Sequence, residues 1–310
     1  MRLERHVVDE LMVQPGHPAR LSARSTAETR ADWIGPLGHA RAKEVAERDL
    51  ASFRGELERA QELLYADRSW AVLLVLQALD AAGKDGTIKH VMSGVNPQGC
   101  EVVAFKQPSA TELGHDFLWR AARALPERGR IGIFNRSYYE DVLVTRVHPD
   151  LVAAQHLPGA GAPDERLWQQ RYEDINAFER HLVRNGTRIV KLFLHLSKEV
   201  QRHRFLERLD DPAKHWKFSP ADLAERAHFD AYQAAYEEAL TATSTPWAPW
   251  YVVPADHKFA LRALVGGLVV DVIDGLDLAA PTLSGDEERA LADARRVLEA
   301  EPGTPGRAQR

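Results

Sequence analysis

The sequence has a single cysteine, Cys100, among its 310 residues. One cysteine excludes a disulfide within the chain and a zinc site built from several thiolates, and it indicates a reducing compartment. The longest apolar run, near residues 70–76, is far too short to span a bilayer. The N-terminus has neither the apolar core nor the cleavage pattern of a signal peptide. We therefore expect a cytoplasmic protein with no membrane partner.

The chain also lacks a strong charge of one sign, since 40 Lys and Arg residues face 45 Asp and Glu residues. A net charge of −5 gives no general attraction to nucleic acid. Any site for a polyanion must therefore be a local basic patch. The histidines and acidic residues show no recognisable spacing of metal ligands.

Apolar runs that suit buried strands alternate with helical patterns along most of the chain. Residues 70–76 are apolar throughout, as in a strand buried on both faces of a parallel sheet. Further strands are predicted at 101–105, 130–135, 188–196 and 250–253, and helices at 40–64, 87–92, 112–125, 137–146, 165–184, 199–209, 223–240 and 258–273. This alternation predicts an α/β fold with a parallel sheet covered on both sides.

The first chemical motif, ALDAAGKDGT at residues 78–87, lies between a predicted strand and a predicted helix. That context is the one a phosphate-binding loop requires, because backbone N–H groups and a helix N-terminus converge there on phosphate oxygens. The pattern is imperfect, with Ala78 in place of the usual first glycine and Asp85 in place of Ser or Thr. The alternative is a plain strand-to-helix turn. The predicted phosphate-binding residues of the loop are Ala82, Gly83, Lys84, Asp85, Gly86 and Thr87.

Asp80 is the unusual residue of this loop. A carboxylate among phosphates is unfavourable unless a cation lies between them, and Mg²⁺ takes carboxylate and phosphate oxygens together. Asp80 could instead orient or deprotonate an attacking phosphate. The alternative without catalysis is that Asp80 caps the following turn.

The second motif, IGIFNRSYYED at residues 131–141, also runs from a predicted strand into a predicted helix. Its strand places Asn135 and Arg136 at the sheet edge where the phosphate loop ends. Arg136 can hold a phosphoryl group bidentately and offset charge in a transition state. Asn135 stands where P-loop enzymes often place a metal-binding carboxylate. The alternative is a surface arginine beside an N-capping Ser137.

Basic residues continue in two further places. The stretch 198–217 is rich in Lys and Arg, is partly neutralised by acidic residues, and could simply be a solvated helix. However, Pro212 breaks the helix before another begins, and a late strand followed by such a helix pair is typical of the lid of a phosphotransferase. Lys106 and Arg120 could contact phosphate or could have ordinary surface roles.

Five segments together resemble the family-2 polyphosphate kinases: residues 80–88, 135–139, 197–205, 216–219 and 243–250. The resemblance runs in the right order from about residue 40 to 275. It implies a three-layer α/β/α P-loop kinase-like fold with a parallel sheet and a helical lid at about 204–226. It also implies Mg²⁺-dependent transfer of phosphate between inorganic polyphosphate and nucleoside mono- or diphosphates, with AMP, ADP and ATP as partners.

The same resemblance implies roles for single residues. Asp80 would bind the metal and activate the acceptor phosphate, while Lys84 and Arg136 would hold phosphates. Ala78 and Asn135 depart from many members in a way that resembles the subgroup accepting both AMP and ADP. Glu140 or water could then complete the metal site around Asp80 and Asn135. The polyphosphate path and lid would use Lys106, Arg120, Arg204, Arg208, Lys214 and Lys217.

The resemblance also leads us to expect a homo-oligomer, a dimer or a tetramer. We predict an N-terminal extension at 1–39, a P-loop phosphotransferase domain at 40–280, and a C-terminal helix with a disordered tail at 281–310. Two rival functions share the fold. One is an ATP-dependent nucleoside monophosphate kinase, and the other is a phosphate-loop nucleotide-binding protein without turnover.

Overall fold

The computed structural model describes residues 2–28, 37–158 and 163–301. Within these residues, five parallel strands form one sheet in the order β2-β3-β1-β4-β5. The strands are β1 (Ala71–Gln77), β2 (Cys100–Ala104), β3 (Ile131–Asn135), β4 (Thr187–His195) and β5 (Trp250–Pro254). β1 is therefore the central strand, and the five strand predictions are confirmed.

Helices from the first unit of the chain, up to residue 278, cover both faces of the sheet. The helices of the described residues are α1 (Arg5–Leu11), α2 (His39–Asp67), α3 (Lys84–Val91), α4 (Ala110–Leu113), α5 (Trp119–Ala122), α6 (Glu140–Val147), α7 (Glu165–Arg184), α8 (Lys198–Asp210), α9 (Pro220–Arg226), α10 (Phe229–Thr243), α11 (Lys258–Asp274) and α12 (Gly285–Ala300). Short 3₁₀ segments lie at Leu21–Ala23, Pro97–Gly99, Pro149–Gln155 and Pro212–Lys217.

Strand β1 shows why the fold has three layers. All seven of its residues are buried, and successive side chains point to opposite faces. Val72 and Leu74 enter the core that α2 and α11 cover, whereas Leu73 and Val75 enter the core that α6, α7 and α10 cover. A strand that reads as a continuous apolar run thus has a helical layer on each side, and the α/β/α prediction is confirmed.

The long helices α2 and α11 pack closely because α11 carries Gly266 and Gly267 at the contact. A Cβ atom on Gly267 would lie 2.5 Å from the Leu3 side chain and 3.0 Å from the Phe53 ring. The two glycines therefore let the backbone of α11 approach α2 and the N-terminal segment, defined here as residues 2–28.

Two predicted helices are interrupted. The helix predicted at 112–125 is wrong, because α4 ends at Leu113 and α5 begins only at Trp119. Between them Asp116 accepts a hydrogen bond at its side chain from the Leu118 N–H (2.9 Å), a local turn that competes with helix. The helix predicted at 223–240 is likewise divided into α9 and α10 at residues 227–228.

The N-terminal segment packs along the last strand. Met12 forms an antiparallel bridge with Tyr251, and the Val13 N–H donates to the Trp250 carbonyl (2.8 Å).

The chain divides into two compact units, Met1–Leu278 and Ala279–Arg310. In the second unit α12 begins at a capping box formed by Ser284 and Glu287.

The predicted boundaries at residues 40 and 280 stay predictions, and the part of the predicted disordered tail that follows residue 301 lies outside the described residues. Among the helices that the structure describes, none is long and apolar enough to cross a membrane.

Candidate active site

The carboxyl ends of the parallel strands gather the predicted motifs at one edge of the sheet, as expected for an open α/β fold. β1 leads into the phosphate loop at residues 78–83, and β3 leads into Arg136. The register pairs Leu76 with Asn135, so the two motifs leave neighbouring strands at the same level.

The phosphate loop turns sharply into α3. Ala81 and Gly83 have φ angles of 64° and 103°, in the left-handed region that glycine adopts without strain and alanine does not. Lys84 is the first residue of α3, three positions earlier than the predicted helix start. Its Nζ donates to the Ala78 carbonyl (2.8 Å). Burial and the neighbouring Arg136 cation lower the pKa of Lys84, against the opposing effect of nearby carboxylates.

Arg136 joins two carboxylates. Its Nη2 lies 2.8 Å from Asp80 Oδ1 and its Nη1 lies 3.1 Å from Glu140 Oε2. Its backbone has φ = 64°, a strained conformation for a residue with a side chain, and its N–H donates to the Leu76 carbonyl (3.0 Å). Although burial alone would lower it, the carboxylates of Glu140 and Asp80 raise the pKa of Arg136.

A buried ion pair supports the backbone after Arg136. Lys191 Nζ contacts Glu179 Oε2 at 2.6 Å and donates to the Thr243 carbonyl at 2.6 Å. The hydroxyl groups of Tyr138 and Tyr139 donate to Glu179 Oε1 at 2.8 and 2.9 Å. These bonds fix the two tyrosines of the second motif, and the tyrosines in turn fix the turn that contains Arg136.

A large cleft of about 1130 Å³ opens over the phosphate loop. Nine Lys and Arg residues line it, against four acidic residues. The cations are Lys84, Lys89, Lys106, Arg136, Arg204, Arg208, Lys214, Lys258 and Arg262, and the acids are Asp80, Asp85, Glu207 and Asp222. The local basic patch that a polyanion needs is therefore present in a chain whose net charge is negative.

The structure brings most predicted site residues together. The cleft lining includes Asp80, Ala82, Gly83, Lys84, Asp85, Gly86, Thr87, Lys106, Asn135, Arg136, Arg204, Arg208 and Lys214. Arg208 also pairs with Asp222 of α9 (3.3 Å), which links the two helices of the predicted lid. Lys217 ends the segment Pro212–Lys217, and its side chain lies outside what the structure describes.

Two predicted phosphate ligands make other contacts. Arg120 is not among the residues that line the cleft; its Nη1 donates to the Lys106 carbonyl (2.8 Å), and its Nη2 lies 3.7 Å from Asp141 Oδ2. Arg204 lines the cleft, but its guanidinium donates to four backbone carbonyls. Direct phosphate contact stays a prediction for both, while the observed bonds position the backbone at Lys106 and in the phosphate loop.

Four basic residues of the lining were not predicted from the sequence as part of the site: Lys89 and His90 of α3, and Lys258 and Arg262 of α11. Lys258 and Arg262 are four positions apart and therefore lie on one helix face, which was the only sign of them in the local sequence. Their proximity to the phosphate loop depends on β5 ending beside β4, which no local pattern reveals.

A smaller cavity of about 130 Å³ adjoins the cleft. Asp80 and Arg136 line both spaces. The smaller cavity is acidic and aromatic, since its walls include Glu140, Asp222, Glu225, Phe229, Tyr232 and Tyr236. The ion pair of Asp80 and Arg136 thus stands at the boundary between a basic space and an acidic one.

The donor set suits a metal that takes few protein ligands. Asp80 is 27% exposed, and the amide of Asn135 donates to Asp85 Oδ1 (2.7 Å), which leaves the Asn135 amide oxygen as a possible ligand. Glu140 lies near Asp80, because Arg136 contacts both carboxylates. Within the described residues, no cluster of three or more His, Cys, Asp or Glu side chains could hold a metal alone. Mg²⁺ fits this pattern, because it is commonly held by one or two carboxylates with water and phosphate oxygens.

Comparisons with known proteins identify the family of the chain. The family model described as Polyphosphate kinase 2 (PPK2) matches residues 40–278. An "ADP-polyphosphate phosphotransferase" of Rhodopseudomonas palustris is 53% identical over 79% of this chain and 86% of its own length. An "AMP/ADP-polyphosphate phosphotransferase" of Meiothermus ruber is 48% identical over 81% of this chain and 90% of its own. The crystal structure of Polyphosphate Kinase 2 from Arthrobacter aurescens TC1 superimposes with a TM-score of 0.74 at 43% identity, covering 81% of this chain and 87% of that one. The chain therefore belongs to the Polyphosphate kinase 2 family.

Proposed function

We propose that this chain transfers phosphate between inorganic polyphosphate and nucleoside mono- or diphosphates. The observation that carries the proposal is the basic cleft, which places nine cations around a phosphate loop in an acidic protein. The array extends from the phosphate loop to residues of α8 and α11, a spread that suits a long polyanion. The names of the relatives point to the same substrates.

The two cavities suggest how the substrates are arranged. Polyphosphate would lie in the basic cleft, with its terminal phosphate over the phosphate loop and Lys84. The nucleotide would approach from the smaller cavity, with its terminal phosphate beside Asp80. An oxygen of that phosphate attacks the terminal phosphorus of polyphosphate, and the bond from this phosphorus to the next bridging oxygen breaks. The nucleotide gains one phosphate, and the polyphosphate leaves one phosphate shorter.

The chain's own groups would offset the charge that develops. Arg136 would exchange its contacts with Asp80 and Glu140 for oxygens of the transferring phosphoryl group. Asp80, once released, would orient or deprotonate the attacking phosphate. Mg²⁺, held by Asp80 with Asn135 and Glu140 nearby, would supply further neutralisation of the phosphate charge.

The substrate range follows from the resemblance and from the relatives, one named for ADP and the other for AMP and ADP. We propose that this chain accepts both, and that it works in the cytoplasm. Assembly as a dimer or tetramer stays a prediction.

A donor-swap assay tests the proposal. The purified protein receives AMP or ADP with Mg²⁺ and either long-chain polyphosphate or ATP as donor, and anion-exchange chromatography separates the products. We expect ADP and ATP to form with polyphosphate. Product with ATP alone would indicate an ordinary nucleotide kinase, and the absence of product with both donors would favour a binding protein. Replacing Mg²⁺ by EDTA should abolish turnover.

A further inference from the structure

Three consecutive carbonyl groups of the phosphate loop are held by one helix, α8. Gln201 Nε2 donates to the Asp80 carbonyl at 3.0 Å. Arg204 Nη1 donates to the carbonyls of Ala81 and Ala82 at 2.9 and 3.0 Å. Because N–H and C=O point in opposite directions within a planar peptide unit, these bonds also aim the N–H groups of the same units away from α8. The direction of the backbone N–H groups of the phosphate loop therefore depends on the position of the start of α8 and on the contacts of Arg204.

Arg204 is itself held from the other side. Its Nη2 donates to the carbonyls of Ala255 and Asp256, directly after β5, at 2.6 and 2.9 Å. The residue is only 6% exposed, so an unpaired N–H or carbonyl group here would be costly, and the four bonds hold the guanidinium in one orientation. The guanidinium thus fixes the distance between the phosphate loop and the end of β5.

Asp256 then connects this arrangement to the N-terminal segment. Its Oδ1 accepts the N–H of Ser197, the N-cap residue of α8, at 2.9 Å. Its Oδ2 accepts the hydroxyl of Thr26 at 2.7 Å, and its own N–H donates to the Thr26 carbonyl at 2.8 Å. Asp256 therefore fixes both the start of α8 and the carbonyl that Arg204 uses, and Thr26 fixes Asp256.

We propose that Asp256, clamped by Thr26, is a positioning residue for the phosphate loop, and that the N-terminal segment is thereby part of the phosphate-transfer machinery. The clamp acts through α8, along the path Thr26, Asp256, Arg204 and the loop carbonyls. Its effect on turnover rests on the proposed function, whereas its effect on loop geometry does not. Since loop donors act most strongly on the phosphoryl group in transfer, loosening the clamp lowers kcat more than it raises KM.

The chain offers a matched control for this path. Thr241 also anchors the N-terminal segment, because its Oγ1 accepts the N–H of Ala19 at 3.0 Å, yet the structure gives it no bond to Asp256. Thr26→Val and Thr241→Val each remove one threonine hydroxyl that anchors the segment, a donor to Asp256 at the first position and an acceptor from Ala19 at the second. Thr26→Ser restores the hydroxyl at the first position.

Steady-state kinetics with polyphosphate and ADP give the first readout. We expect Thr26→Val to lower kcat roughly tenfold with KM changed less than about twofold, since small misplacements of positioning groups cost that much or more. Thr26→Ser and Thr241→Val should stay within about twofold of the wild type. A Thr26→Val protein with full kcat, or a Thr241→Val protein that loses as much, would overturn the proposal.

Amide hydrogen exchange of the substrate-free protein gives a readout that does not depend on the proposed function. Peptides covering residues 78–87 should exchange faster in Thr26→Val than in the wild type, and at the wild-type rate in Thr241→Val. Unchanged exchange of these peptides in Thr26→Val would overturn the clamp even if kcat fell. If the wild type shows no turnover with polyphosphate, the proposed function fails while this measurement still decides the clamp.

Discussion

The Lys191–Glu179 pair and the Arg136–Asp80 pair use the same two kinds of charge in opposite surroundings. Lys191 and Glu179 are both 0% exposed and 2.6 Å apart, and their remaining partners are Tyr138, Tyr139 and the Thr243 carbonyl. Arg136 and Asp80 lie 2.8 Å apart with 39% and 27% of their side chains exposed. The first pair is surrounded by protein groups, and the second opens onto two cavities.

This difference predicts a structural role for the first pair and a role in turnover for the second. The buried pair offers no face to a ligand, and breaking it would leave a charge without a partner in a dry core. The open pair can exchange one partner for a phosphate oxygen, because solvent already reaches both side chains. Disrupting the first pair should therefore change stability, and disrupting the second should change turnover.

The largest expected effect comes from Arg136→Lys. A lysine keeps the charge but cannot hold a phosphoryl group with a planar fork, so kcat should fall by about 10³-fold or more. The melting temperature should stay close to that of the wild type. Arg128→Lys, at an exposed arginine that bonds the Asn185 carbonyl, is the control. Loss of stability without loss of turnover in Arg136→Lys would reverse the assignment of the two pairs.

The next effect is on folding. Lys191→Met leaves the Glu179 carboxylate buried without its cation, which should lower the free energy of unfolding by about 3–5 kcal/mol in urea titrations. Lys198→Met removes an exposed partner of Asp230, and should cost less than about 1 kcal/mol. Equal losses in the two variants would mean that burial does not distinguish these pairs.

A pH profile distinguishes the open site further. The pKa of Lys84 is lowered by burial and by Arg136, with Asp80, Glu140 and Asp85 acting in the opposite direction. The ammonium is present below this lowered pKa, so kcat should fall as the pH rises through it. The free energy of unfolding should instead rise with pH between the lowered pKa and the unfolded value of 10.5, because the cost of burying the cation disappears over that interval.

Profiles of kcat and of unfolding free energy for the wild type and Lys84→Arg check both signs. The guanidinium of Lys84→Arg stays charged, so its activity should be lower throughout but should show no alkaline decline. An identical decline in the variant would assign the titration to another group.

The smallest effect concerns the cleft wall. Lys258→Ala should raise KM for polyphosphate about two- to fivefold and weaken its dependence on salt, while kcat stays nearly constant, because a rim cation attracts the chain without contacting the reacting atoms. Lys43→Ala, at an exposed lysine of α2 that pairs with Glu47, should change neither. A constant KM in Lys258→Ala would place polyphosphate away from α11.

Much of the fold could be predicted from the sequence, because a strand buried on both faces, such as β1, leaves an apolar run in the sequence. The meeting of Asp80 with Arg136 also followed from the sequence, since parallel strands end at one edge. The break at Asp116 could not be predicted, because a local side-chain hydrogen bond competes there with the helix and the local sequence does not show which one forms. The contributions of Arg262 and of Asp256 could not be read either, since both depend on the position of β5 in the sheet.

The bond between Thr26 and Asp256 joins residues 230 positions apart. During synthesis, at about 5–20 residues per second, the ribosome needs on the order of 10 to 50 seconds after making Thr26 before Asp256 exists. The phosphate loop is made in the first third of that interval, well before β5. A nascent or truncated chain that lacks β5 would thus carry every residue of both motifs without the contacts of Asp256 to Thr26 and Ser197. We therefore expect the phosphate loop to reach its final alignment only after β5 has been made.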